Sequence, residues 1–202
     1  VIGMHVTLRQ YLATIFIICS LGYALNKETG RAFIFLIIAI LSHNSAGLFG
    51  PIILYLTGSR FLRIVAYLGA ALIPFTLSFA NNLASNFGLQ EMNQIDAGET
   101  IDKLYSIFFI FIFILFCISS HLKKNTKDNI FLAISGYFAY ISILSNISLS
   151  SSGSERLGMF ITAILLPLIV VFADEKYKHK IIIRLSIFTI SVLPLMFFYK
   201  QI

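Results

Sequence analysis

Apolar residues run along this chain in long blocks, not as one residue in three or four along a stripe. Runs of bilayer length fall at 11–25, 32–56, 61–80, 104–120, 130–149, 157–173 and 181–199. A spanning helix needs ~20 such residues, because a backbone in hydrocarbon must satisfy its own hydrogen bonds. The pattern predicts an all-α, polytopic transmembrane helical bundle of about six or seven membrane segments, in a single domain over 1–202.

Polar connections between the blocks predict an orientation. Those at 26–31 (Lys27, Arg31), 121–129 (Lys123, Lys124, Lys127) and 174–184 (Lys176, Lys178, Lys180, Arg184) hold nine of the fifteen basic residues and are expected on the cytoplasmic side. The connection at 81–103 carries Glu91, Asp96, Glu99 and Asp102 against Lys103 and is expected outside, as is the Ser-rich turn at 150–154. Between Arg31 inside and the acidic loop outside there must be an odd number of crossings, yet two apolar blocks lie there. One of them is therefore not a simple span. Either 32–56 folds back near Gly47, Gly50 and Pro51, returning Arg60 and Arg63 to the cytoplasmic side, or 61–80, with Pro74, is interfacial or re-entrant. Irregular backbone at membrane depth is tolerated where it is protein-buried or lines a watery cavity, so both solutions point to residues 43–80.

Composition agrees. Of 202 residues, 58% are hydrophobic and 12% charged, against roughly 25% charged in a soluble domain, too little polar surface to cover a water-soluble globule. A net charge of +6 would suit nucleic acid, but the basic residues sit in short runs between apolar blocks, so no nucleic-acid partner is expected. Cys19 and Cys117 lie inside apolar blocks and read as small packing residues. No Walker loop, dinucleotide fingerprint, HExxH, GxSxG or DxD occurs, so the sequence implies neither a metal site nor a cofactor.

Polar groups inside or beside apolar helices are costly unless used. Four sets qualify. Arg9-Gln10 is expected at the outer start of the first segment, where a snorkelling anchor is the plainer reading. Ser42-His43-Asn44-Ser45 lies about a dozen residues into its block, expected as continuous helix with side chains spread around it; an imidazole there is either a packing residue or an acceptor of a hydroxyl proton. Ser154-Glu155-Arg156 is expected at the outer mouth of its segment, where Arg can hold a phosphate with a planar fork of donors, or simply pair with Glu155 at a helix start. Arg60 and Arg63 read first as topology signals. His5, His121 and His179 sit in charged loops or at the terminus and are expected to be solvated.

The order of these motifs carries a resemblance. LRQYLA, a short basic turn, AILSHNSAGLFGPIILY and, much later, SERLGMF together resemble the EpsG-type family of bacterial exopolysaccharide polymerases, relatives of the Wzy O-antigen polymerases. An Arg-Gln-x-x-Ala start falls on Arg9, Gln10 and Ala13; an Ala-x-x-x-His-x-Ser-Ala-x-x-x-x-Pro helix falls on Ala39, His43, Ser45, Ala46 and Pro51; a later Arg ahead of an aromatic falls on Arg156 and Phe160, where many relatives carry a Tyr-Phe pair. The match is specific over the first 60 residues and weaker over 150–170. Such proteins carry further helices ahead of the Arg-Gln motif, so this chain, beginning at Val1, is expected to be the C-terminal part of a longer fold.

The resemblance implies a multi-pass protein of the bacterial cytoplasmic membrane that polymerises lipid-linked oligosaccharide repeat units into exopolysaccharide, capsule or O-antigen at its outer face. It implies undecaprenyl-diphosphate-linked oligosaccharide and membrane lipid as partners, with polysaccharide-export proteins beside them. Arg9, Arg156 and His43 are the implied catalytic group, and Gln10, Asn44, Ser45, Glu155, Arg60 and Arg63 are candidates for substrate binding. A lipid-linked glycan ligase, a membrane O-acyltransferase and a polysaccharide transporter are the alternatives.

Overall fold

A computed structural model describes residues 2–86, 99–123, 126–149 and 151–174; the predicted span at 181–199, the centre of the acidic connection and most of the last basic connection lie outside the described residues. The described chain is all-α. Its helices are α1 (Ile2–Leu25), α2 (Thr29–Ser42), a 3₁₀ segment (Asn44–Phe49), α3 (Gly50–Thr57), α4 (Arg60–Asn86), α5 (Glu99–Lys123), α6 (Thr126–Ser148) and α7 (Ser151–Asp174).

The first two helices form a tight antiparallel hairpin. Buried Ser20 donates its hydroxyl to the Ala32 carbonyl at 2.7 Å, and the Phe16 and Tyr23 rings both pack on Phe35. The turn is a Schellman motif: Glu28 N–H reaches back to Tyr23 O and Lys27 N–H to Ala24 O. Lys27 takes the left-handed position usually filled by glycine, with φ of 63°, which costs an L-residue roughly 1–2 kcal/mol. Its ammonium offsets that cost by donating to Leu56 O at 2.7 Å.

That bond resolves the crossing count. It ties the last turn of α3 to the α1–α2 turn, so the block at 32–56 rises through α2 and returns through the 3₁₀ segment and α3 to the end from which it started. Gly58 ends the return, with φ of 90° and a space where an added Cβ would stand 3.0 Å from Lys27 Nζ. Residues 61–80 are not re-entrant; they form most of the 27-residue α4, about 40 Å long, which leaves from the same end as Lys27.

Three other boundaries move. Arg9-Gln10 does not open a helix but lies two turns inside α1. The fold-back in the block at 32–56 begins at His43, four residues before Gly47. The Ser-rich turn is helical from Ser151 onward, so Arg156 stands inside α7.

α5 and α6 pack antiparallel, with Phe116 stacked on Phe131 towards one end and Ser106 bonded to Ser142 towards the other. α7 runs back beside both. Gly158 lets it close on α5: an added Cβ would meet the Tyr105 ring at 2.6 Å. The bundle is thus polarised. Lys27, Arg31, Arg60 and Arg63 gather at one end, with positions 123 and 127; Glu99 and position 102 open α5 at the other.

Outward-facing surface is apolar. Leu41 is 81% exposed and Phe75 73%, and α4 turns Phe61, Ile64, Tyr67, Leu68, Leu72, Phe75 and Phe79 outward while burying, among its described side chains, the stripe Ala66, Ile73 and Leu77. A belt of that size belongs in lipid. Among the described residues three helices are long and apolar enough to cross a membrane, Leu8–Leu25, Arg60–Phe79 and Asn129–Ser148. The protein is a helical membrane protein.

Candidate functional site

His43 is where α2 stops. Its backbone is extended, with φ of −156° and ψ of 121°, and the residues around it build the break from their own groups. His43 N–H still bonds Ala39 O, its carbonyl takes Ala46 N–H at 2.9 Å, and its Nδ1 accepts Ser45 N–H at 3.3 Å, capping the 3₁₀ segment. Ala46 is fully buried, and Pro51 stands in the first turn of α3, where its missing N–H costs no α-helical bond. The spacing from Ala39 through His43, Ser45 and Ala46 to Pro51 is therefore that of a built helix interruption at membrane depth. Because Nδ1 accepts, the neutral imidazole carries its proton on Nε2, which makes that edge a donor.

The break is seated on aromatic rings. His43 meets Phe160 of α7 edge to face at 6.2 Å, Phe160 meets Phe49 at 5.1 Å, and Phe49 meets Phe138 of α6 at 5.7 Å. Phe49, Phe138 and Phe160 are fully buried, so they fix His43 relative to α6 and α7. Position 156 stands one helical turn before Phe160, towards the acidic end. Arg9 approaches from the other side. In the α1–α2 hairpin Ser20 faces Ala32 and Phe16 faces Phe35; continued outward, that register sets Ala13 opposite Ala39, both fully buried, and Arg9 level with His43. Arg9 is exposed, and no carboxylate pairs with it among the described residues.

The fold thus seats His43 against Phe160, one helical turn from position 156, and the hairpin register puts Arg9 at the same level of the bundle on α1, towards the acidic end. Gln10, whose carbonyl takes the Thr14 hydroxyl at 2.9 Å, exposed Asn44 and half-buried Ser45 lie with them. The Glu155 and Arg156 side chains lie outside the described residues. Arg60 and Arg63 do not join the group; they stand at the opposite, basic end, where Arg63 packs over the Tyr55 ring at 5.9 Å.

Two features escaped sequence reasoning. One is a buried polar network under the start of α7: Asn146 donates to Ser106 at 2.6 Å, Ser106 bonds Ser142, and Ser154 bonds both Asn146 and Ser145. The polar residues Ser142, Ser145 and Asn146 recur at helical spacing in one apolar block, a signal that was there to be read. The other is a pair of tyrosines on α6 that answer carbonyls left by prolines. Pro74 has no N–H for Ala70 O, and the Tyr140 hydroxyl donates to it at 2.9 Å. Pro51 has none for Leu48 O in 3₁₀ register, and Tyr137 donates there.

Chemically, the group offers the Arg9 guanidinium and the His43 ring N–H beside a break in a helix, with no carboxylate of the described residues paired to Arg9. Such a set suits an anion, above all a diphosphate held by forked guanidinium donors. Neither curated proteins nor solved structures gave a match to the chain. The family model described as EpsG family matches residues 1–202, which takes in all three motif regions, and the chain belongs to the EpsG family.

Proposed function

We propose that this protein polymerises polysaccharide by transferring a lipid-diphosphate-linked oligosaccharide onto a second lipid-linked unit at the outer face of the cytoplasmic membrane. Membership of the EpsG family supports an exopolysaccharide polymerase-type role. The observation that supports the finer reading is the His43 break packed on Phe160, one helical turn from position 156, with Arg9 at the same level by the α1–α2 register. Under the positive-inside rule that end faces outward, since Lys27, Arg31, Arg60 and Arg63 gather at the other.

In the reaction the bond between the donor sugar's anomeric carbon and the diphosphate oxygen breaks, with the electron pair leaving on the diphosphate. An acceptor hydroxyl oxygen bonds that carbon, and its proton passes to solvent or to the departing phosphate. Charge grows on the leaving oxygen while the sugar passes through an oxocarbenium-like state, so stabilising the leaving group matters more than a strong base. Arg9 and Arg156 neutralise the diphosphate. His43, protonated at Nε2, donates a hydrogen bond that orients donor or acceptor. The test is the surface glycan of cells lacking the gene. One repeat unit per lipid in place of long chains is expected; chains of normal length lacking only O-acyl groups would point to acyl transfer and contradict the proposal.

A further inference from the structure

A second site opens on the α4 side of α3, with its mouth towards the basic end. A cleft of about 270 Å³ opens between α3, α4 and α6. Its walls are small residues, Ala66, Ala70 and Ala133, and the ring faces of Tyr67, Tyr137 and Tyr140. The hydroxyls of Tyr137 and Tyr140 are turned onto the Leu48 and Ala70 carbonyls, so those rings show the cleft an apolar face. It is closed towards mid-bundle, where Pro51 lies against Gly69, an added Cβ there standing 3.3 Å from Pro51 Cγ, and where Tyr140 bonds α4.

The mouth is cationic. Arg63 lies one turn before Ala66 and Tyr67, with its guanidinium over the ring of Tyr55, a further wall residue. Arg60 precedes it on the exposed start of α4. Neither has a carboxylate partner among the described residues. An apolar cleft whose mouth carries two guanidiniums, unpaired among the described residues, on a lipid-facing helix matches in charge and polarity an amphiphile with an anionic head. We propose that this cleft binds an anionic glycerophospholipid of the leaflet at the basic end, one acyl chain lying between α4 and α6 and the phosphate on Arg63 and Arg60. The site needs only that the protein lies in a membrane; it is independent of the transfer reaction. It also gives the two arginines a role that the His43 group, at the other end, cannot.

The chain contains no Trp, so Tyr67→Trp places a single indole on the cleft wall of the full chain in lipid nanodiscs. Brominated phosphatidylglycerol should quench it at a lower mole fraction than brominated phosphatidylcholine, by roughly fivefold for each arginine at the mouth and so about 25-fold for the two. Adding Arg60→Gln with Arg63→Gln should bring the two curves together, and adding Ala133→Leu, which fills the cleft, should weaken quenching by phosphatidylglycerol. Coincident curves before the arginines are changed, or separate curves after, would overturn the proposal. So would the absence of quenching by either lipid, which would mean that protein, such as residues 181–199, covers the cleft. Displacement of brominated phosphatidylglycerol by polyprenyl phosphate at a lower mole fraction than by unlabelled phosphatidylglycerol would assign the cleft to the carrier lipid instead.

Discussion

Single residues in this protein are explained largely by what their neighbours lack. Pro74 removes the N–H that Ala70 O would use, and in lipid no water replaces it, so Tyr140 reaches across from α6. Tyr140→Phe should therefore destabilise the folded protein by about 0.5–2 kcal/mol, and much less in a Pro74→Ala background, where the backbone answers Ala70 itself. Unfolding in mixed micelles, run as a double-mutant cycle, measures that coupling; additive effects would remove the link. His43 has two tasks on its two ring nitrogens. His43→Asn keeps an oxygen near the Nδ1 position, able to cap Ser45 N–H, but loses the Nε2 donor; His43→Gln keeps a donor at longer reach. Both variants should insert normally, the Asn variant losing elongation by ~10- to 100-fold for one lost bond to a charged group and the Gln variant retaining more. Equal inactivity of the two, at equal protein, would contradict the donor role and favour proton acceptance. His43 and Arg9 were legible from sequence as polar groups in apolar surroundings. The tyrosines were not, because the need for their hydroxyls arises from prolines 66 and 86 residues away along the chain.

At the scale of helices, hydropathy located α1, α4, α5, α6 and α7 because each is a long apolar run, and it missed the interruption at His43 for the same reason. Residues 32–56 are apolar throughout, so nothing in their hydropathy distinguishes one span from a helix that turns back; the crossing count from flanking charges required a turn without fixing its place. Local chemistry fixes it: the His43 cap, buried Ala46 and Pro51 at the start of α3. Hydropathy sets the helix starts too late at Arg9 and Arg156 because polar residues resemble helix ends, whereas α1 and α7 begin before them. Packing between helices rests on small residues. Gly158 holds α7 against the Tyr105 ring one turn from Phe160, so Gly158→Ala, forcing a 2.6 Å contact apart, should shift α7 and with it both Phe160 and position 156. The expected result is lower thermal stability together with slower elongation; a variant with parental stability and parental elongation would show that α5–α7 packing does not set the site.

For the molecule as a whole, the account requires that the acidic end face outward. Cysteine introduced at position 93 should react with a membrane-impermeant thiol reagent in intact cells and at position 125 should not, because acidic and basic connections flank α5. Reversed labelling would put Arg9 and His43 on the cytoplasmic side, away from where repeat units are joined in the proposed reaction. Belonging to the EpsG family supports an exopolysaccharide polymerase-type role, and the bundle's polarity supports the outer face that the proposed reaction needs. The most direct test of transfer itself is to reconstitute the full-length protein in vesicles with a single lipid-linked repeat unit and follow the products on a gel. A ladder of lipid-linked chains growing by whole repeats, with release of polyprenyl diphosphate, is the predicted result; unchanged single repeats from protein that is folded and inserted would contradict the polymerase assignment.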